Sequence, residues 1–205
     1  MDFVRLENQL KERLSFPYFW GRKQSNVWDD KTSFIYSTYT FKKLLEITNG
    51  LDNDVKNYSY NRWFNFWSAV GIEKLFSLHD KVTPNINKYD KLVDFSINEV
   101  SFDHKTSVFP KGFNKTVEYA KENPQELITW LYLNQSQDGR KHLKNRLFII
   151  MNDKNNEHWK LKAEIQLIKT QIDIYVENFN QSKLISLNIE NEKILSDVIW
   201  VDSLE

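Results

Sequence analysis

Three residues are spaced for chemistry: Asp94 in LVDFSI, and Asp103 and Lys105 in SFDHKTS. The two segments flank Asn98-Glu99, and both alternate between apolar and polar residues. If Asn98-Glu99 is the two-residue turn of a hairpin, Ile97 faces Val100, Phe95 faces Phe102 and Asp94 faces Asp103. Successive side chains point to opposite faces of a sheet. One face then carries Val93, Phe95, Ile97, Val100, Phe102 and His104, and the other carries Asp94, Ser96, Ser101, Asp103 and Lys105. A partition this clean supports the register. Opposed carboxylates destabilise a strand pair, and one of the two pKa values rises unless something neutralises them. A divalent cation would do so. Aspartate oxygens suit Mg²⁺ (or Mn²⁺), which takes one or two carboxylates together with waters and substrate phosphate. Lys105, on the same face, would orient or activate a metal-bound water and stabilise developing negative charge. The plainer account is a solvated polar face on which Lys105 bridges the two acids.

His104 falls on the apolar face, which reads as a packed histidine with a hydrogen-bond partner rather than a catalytic one. Glu73, in SAVGIEKLF, lies on a helix preceding the hairpin. It is either a further ligand of the acid pair or an ordinary surface glutamate. A helix bearing an acid, a hairpin bearing Asp and then Asp-x-Lys, and a further helix and strand together resemble the PD-(D/E)XK nuclease superfamily, the restriction-endonuclease-like fold. The resemblance covers roughly residues 61–151. It implies Asp94, Asp103, Lys105 and Glu73 as catalytic residues. It also implies Asp94, Asp103, Glu73 and the backbone carbonyl of His104 as ligands of Mg²⁺ or Mn²⁺. The reaction it implies is phosphodiester hydrolysis, most often of DNA. Val93 stands where that family often has proline. The alternative is a non-catalytic nucleic-acid-binding or protein-interaction module that retains the fold.

Substrate contacts are expected from the basic run NQSQDGRKHLKNRLF, with Gln135, Arg140, Lys141, Lys144 and Arg146, and from Lys111 in FPKGF. The basic run reads equally as a solvated loop following a helix, and FPKGF as a plain turn. Arg22, Lys23 and Gln24 suit phosphate or base edges, and an aromatic subdomain explains their neighbourhood as well.

The elements that must position these residues follow from periodicity. Residues 2–14 read as an amphipathic helix, 34–40 as a weak strand, 41–47 as a short helix and 51–61 as a linker. Residues 62–78 read as an apolar helix, 92–97 and 100–107 as the hairpin strands, and 113–121 and 124–134 as helices. Asn123-Pro124-Gln125-Glu126 is a helix start, with Asn at the N-cap and Pro at the first helical position. Residues 147–151 and 193–201 read as strands. Residues 159–179 read as one long helix, whose seam Leu161, Ile165, Ile168, Ile172, Tyr175 and Phe179 packs either on this chain's own sheet or in a homodimer. The fold class expected is α/β, a central mixed β-sheet flanked by helices. The resemblance implies a restriction-endonuclease-like core within a single domain, with an aromatic-rich N-terminal extension at residues 1–57 and the core and C-terminal helix at residues 58–205.

Bulk composition narrows the partners. Lys+Arg and Asp+Glu both number 28 among 205 residues, so nucleic-acid binding needs a local basic patch. The absence of cysteine removes thiolate metal sites and disulfides, and with the acid-containing first helix it fits a cytoplasmic location. No apolar run approaches the ~18 residues of a membrane span. Gly-rich phosphate loops, GxSxG and cysteine nucleophiles are also missing.

Overall fold

The computed structural model describes residues 1–20, 24–87, 90, 92–134 and 143–204. The chain divides into two compact units, one formed by residues 1–74 with 162–166 and the other by residues 75–161 with 167–204.

The first unit is helical: α1 (Phe3–Arg13), α2 (Asn26–Lys31), α3 (Phe41–Thr48) and α4 (Asn53–Phe76), the last of which ends in the second unit. Asp2 and Thr40 cap α1 and α3 through their side-chain oxygens, as N-cap residues do. Leu6, Leu10, Ile35, Phe41, Leu44, Tyr58, Trp63 and Phe64 are buried. Two sequence expectations change. Residues 34–40 form no strand, because Ser33–Tyr36 make a 3-10 turn and Thr38 Oγ1 donates back to the Phe34 carbonyl at 2.8 Å. Residues 51–61 form no linker, because α4 starts at Asn53 and Tyr58, Ser59, Tyr60 and Asn61 are all buried. Buried Arg13 holds this corner by donating to the carbonyls of Phe16 and Pro17 and to Asn61 Oδ1.

The expected long helix at 159–179 is broken. Residues His158–Ala163 form a 3-10 helix, and α7 (Ile165–Glu177) begins after Glu164. The break places residues 162–166 in the first unit, where Lys162 Nζ donates to Asn65 Oδ1 at 2.9 Å. There the Gln166 N–H, an unsatisfied donor of the first helical turn, meets Glu7 Oε2 at 2.8 Å.

The second unit contains a mixed six-stranded sheet among the described residues, ordered β1-β2-β3-β4-β6-β5. Its strands are β1 (Val82–Pro84), β2 (Phe95–Ile97), β3 (Val100–Val108), β4 (Arg146–Asn152), β5 (Ile185–Ile189) and β6 (Glu192–Asp202). β3, β4 and β6 run parallel, and the pairs β1–β2, β2–β3 and β5–β6 are antiparallel. Helices α5 (Val117–Glu122) and α6 (Pro124–Asn134) make the β3-to-β4 crossover. Leu127, Ile128 and Leu131 of α6 form one apolar cluster with Phe148, Ile150, Leu187 and Ile194. The α/β class with a mixed, helix-flanked sheet is therefore observed. Of the expected seam, Leu161, Ile165, Ile168 and Ile172 are buried within the chain, and Tyr175 and Phe179 are partly buried. Among the described residues no helix is long and apolar enough to cross a membrane.

Candidate active site

The hairpin forms in the register its sequence suggests. Phe95 pairs with Phe102, Ser96 with Ser101 and Ile97 with Val100. The turn residues Asn98 and Glu99 have φ of 44° and 70°, the left-handed pair that two-residue hairpins require. Phe95, Ile97, Val100 and Phe102 are buried, and the Ser96 and Ser101 hydroxyls meet at 3.0 Å on the opposite face.

Register with β4 fixes what the second face contains. Asp103, Lys105 and Ser107 pair with Arg146, Phe148 and Ile150, so they share the face that α5 and α6 cover further along the sheet. On β3 this face stays open. Lys105 is exposed, and Asp103 and Ser107 are partly so.

Asp94 departs from expectation. Pairing ends at Phe95, and neither Asp94, Val93 nor Leu92 continues the ladder toward Asp103, His104 and Lys105. The Asp94 N–H donates to the Phe102 carbonyl at 2.8 Å. Its carboxylate Oδ2 accepts from the His104 N–H at 2.8 Å and lies 2.7 Å from His104 Nδ1. The cause lies upstream. Asn85 donates its amide to the Val93 carbonyl and to Asp90, and Asp90 accepts from the Leu92 N–H, which holds residues 92–94 out of the strand. Burial raises the Asp94 pKa, but the hydrogen bonds and charge of His104, with a smaller effect from Lys105, prevail and leave it lowered. His104 keeps its place on the apolar face, with Phe95 at 6.0 Å and Phe76 at 6.5 Å between ring centroids.

Asp103 has a different partner. Arg146 Nε donates to Asp103 Oδ2 at 2.7 Å. Arg146, expected at a substrate phosphate, is instead buried, with its guanidinium 5.4 Å from the centroid of Tyr132 on α6. Tyr132 donates its hydroxyl to the Lys144 carbonyl at 2.7 Å. Burial pushes the Tyr132 pKa well above the usual phenol range, so it remains a donor.

Each acid is thus held through one oxygen by a nitrogen donor of its own chain. The second oxygen of Asp94 and of Asp103 has no hydrogen bond among the described residues, and neither does the Lys105 ammonium. Among the described residues, no group of three or more His, Asp or Glu side chains is arranged to hold a metal ion.

The remaining candidates lie on other elements. Glu73 lies on α4 in the first unit, whereas Asp94, Asp103 and Lys105 belong to the second. Lys111 sits in the 3-10 turn Lys111–Phe113 beyond the far end of β3, where its charge acts on His158. Lys144 is exposed at the approach to β4, two positions before the strand residue that binds Asp103. Gln135, Arg140 and Lys141 lie outside the described residues.

A residue that sequence reasoning passes over connects the site. The Asn145 carbonyl accepts from the Asp103 N–H at 3.0 Å. Its amide donates to the Ser101 carbonyl at 3.1 Å, and its Oδ1 accepts from the Leu195 N–H at 2.8 Å. Only the position of Asn145 at the head of an apolar strand hints at this role. No family model, no curated protein and no solved structure matches the chain.

Proposed function

We propose that the protein is a metal-dependent nuclease, hydrolysing phosphodiester bonds of nucleic acid, DNA first among them, on a restriction-endonuclease-like core. The observation that carries this reading is the open face of β3, which bears Asp103 and Lys105, with Asp94 bound to the intervening His104, and each acid keeps one oxygen without a hydrogen bond among the described residues. The order of elements agrees with it, since α4, the β2–β3 hairpin, α5–α6 and β4 follow one another as in the resembled core.

Two aspartates with free oxygens are a hard-donor set that fits Mg²⁺ or Mn²⁺, with water and substrate phosphate completing the coordination. Asp94 and Asp103 would hold the ion, and the His104 carbonyl is a further ligand that the resemblance supplies. Bound there, the ion supplies Lewis-acid polarisation of the phosphoryl group and a more acidic water. The chain's own residues do the rest. Arg146 fixes the rotamer of Asp103, and His104 fixes that of Asp94, as outer-shell partners orient ligating carboxylates. Lys105 places a positive charge where negative charge develops on phosphate oxygens. Lys144, at the edge of this face, would contact a flanking phosphate.

Incubating the protein with plasmid and oligonucleotide substrates in Mg²⁺ or Mn²⁺ tests the reading. Cleavage is expected, and Asp103→Asn and Lys105→Ala should each reduce it by about 10²-fold or more. Cleavage that survives both substitutions removes the site assignment.

A second reading is favoured by one observation: Arg146 and His104 already engage one oxygen of each acid. On that reading the protein binds nucleic acid without cutting it. Calorimetric titration with Mn²⁺ separates the two, because only the nuclease should show affinity that Asp94→Asn and Asp103→Asn abolish.

A further inference from the structure

Among the described residues the sheet has two outer strands, β1 and β5, and their sequences differ in kind. β1 is three residues long and ends in Pro84, which has no N–H to offer a further strand. β5, with sequence ISLNI, is longer and contains neither proline nor charge. The Glu190-Asn191 turn that joins it to β6 has φ of 52° and 68°, a two-residue hairpin turn. The pair next to such a turn, Ile189 with Glu192, exchanges both backbone hydrogen bonds, and bonded pairs alternate along the ladder. Ile185, Leu187 and Ile189 therefore spend their backbone groups on β6. Ser186 and Asn188 turn theirs outward, where neither has a partner among the described residues. The Leu195 N–H fits this alternation: opposite Ser186, it points away from β5 and donates to Asn145 Oδ1.

This edge is complementary to itself. When two copies of β5 pair antiparallel about a two-fold axis through Leu187, Ser186 of each copy exchanges both backbone bonds with Asn188 of the other, which satisfies every outward backbone group of the strand. The side chains match as well. The exposed Ser186 and Asn188 meet on one face, while Ile185 meets Ile189 and Leu187 meets its counterpart on the face that α6 covers. Charge has the same sense. Lys183 precedes the strand, and Glu190, Glu192 and Lys193 leave a net negative tip beyond it, so antiparallel pairing sets each Lys183 toward the other copy's acidic end. We propose that the protein self-associates through β5, forming a two-fold dimer whose sheet runs from one copy into the other. A single strand pair is a small interface, so the association is weak and depends on concentration. The inference is independent of the nuclease reading, because β6 and β4 separate β5 from Asp103 on β3.

Sedimentation equilibrium of the full chain, from about 1 to 200 µM, tests the interface. The weight-average mass should climb from that of the monomer toward that of the dimer. The double substitution Ser186→Lys with Asn188→Lys sets like charges directly opposite each other across the axis, and it should hold the mass at the monomer. Both positions are exposed, so the urea midpoint should stay nearly unchanged. The chain has no cysteine of its own, so disulfide formation can report the register. A mixture of the single variants Ser186→Cys and Asn188→Cys should cross-link faster than either alone, because these two positions face each other in the pair. A wild type that stays monomeric at every concentration overturns the proposal and leaves the edge to an extended segment of another protein. A dimer that survives the double lysine substitution, or equal cross-linking in all three samples, overturns it by placing the interface elsewhere.

Discussion

The Asp103–Arg146 pair sets the energetics of the site. The two side chains are 13% and 4% exposed, so the guanidinium has little access to water. Removing one partner of such a pair leaves the other charge uncompensated, which typically costs about 3–5 kcal/mol. Arg146→Met should therefore destabilise the protein by about 3 kcal/mol in urea unfolding and release Asp103 from its rotamer. Asp103→Asn, which leaves an amide oxygen for Nε, should cost less. A loss under about 1 kcal/mol in Arg146→Met would mean that Asp103 is not held this way. Asp94 makes a separate, pH-dependent contribution. Its pKa in the folded chain is depressed, so its stabilisation is fully present above the unfolded value of about 4 and is lost as pH falls through the lower folded value. Asp94→Asn should flatten the acid limb of the stability profile relative to the wild type. The inward placement of His104 is legible in the sequence from alternation alone. The turn of Asp94 onto His104 is not, because Asn85 and Asp90 impose it from outside the hairpin.

At the scale of elements, the hairpin turn carries strain that the sequence does not relieve. Glu99 holds a φ of 70°, a region where a side chain costs roughly 1–2 kcal/mol and glycine costs little. Glu99→Gly should raise stability by about 1 kcal/mol, or about 2–4 °C in Tm for a chain of this size, without altering the site. A fall in Tm would show that the Glu99 side chain makes a contact worth more than the strain. The same elements show what pattern reading reaches. The β2–β3 hairpin, α6, β4 and β6 each combine a clear period with a proper start or turn, and each lies where expected to within a few residues. The short strand β1 and edge strand β5 escape because few residues bury few side chains. The start of α4 escapes for the opposite reason. Its Tyr58, Ser59, Tyr60 and Asn61 look polar in the sequence yet are buried, with Tyr58 donating to Asp29 and Tyr60 within hydrogen-bond reach of Thr48. Tertiary partners made a helix of residues that local composition assigns to a loop.

At the scale of the molecule, the segment 162–166 is where distant sequence returns to the first unit, and it brings a cost with it. Lys162 is 9% exposed, and its ammonium has a neutral amide, Asn65, for its hydrogen bond. Burial lowers its pKa to about 8. An unfolded lysine titrates near 10.4, so below about pH 8 both states carry the proton and the folded chain bears the full cost of a buried charge. Between about 8 and about 10.4 the unfolded chain retains a proton that the folded chain has released. Across that window this residue makes stability rise with pH. The difference amounts to on the order of 3 kcal/mol. Lys162→Met keeps the length of the side chain and removes the titration. It should stabilise the protein at pH 7, by less than that amount because Asn65 loses its donor, and the gain over wild type should shrink steadily as pH rises toward 10. Urea unfolding of both proteins at intervals across this range measures the gap directly. Parallel profiles would mean that Lys162 keeps its ammonium in water when the chain is folded, and that the break between the 3-10 helix and α7 does not bury it.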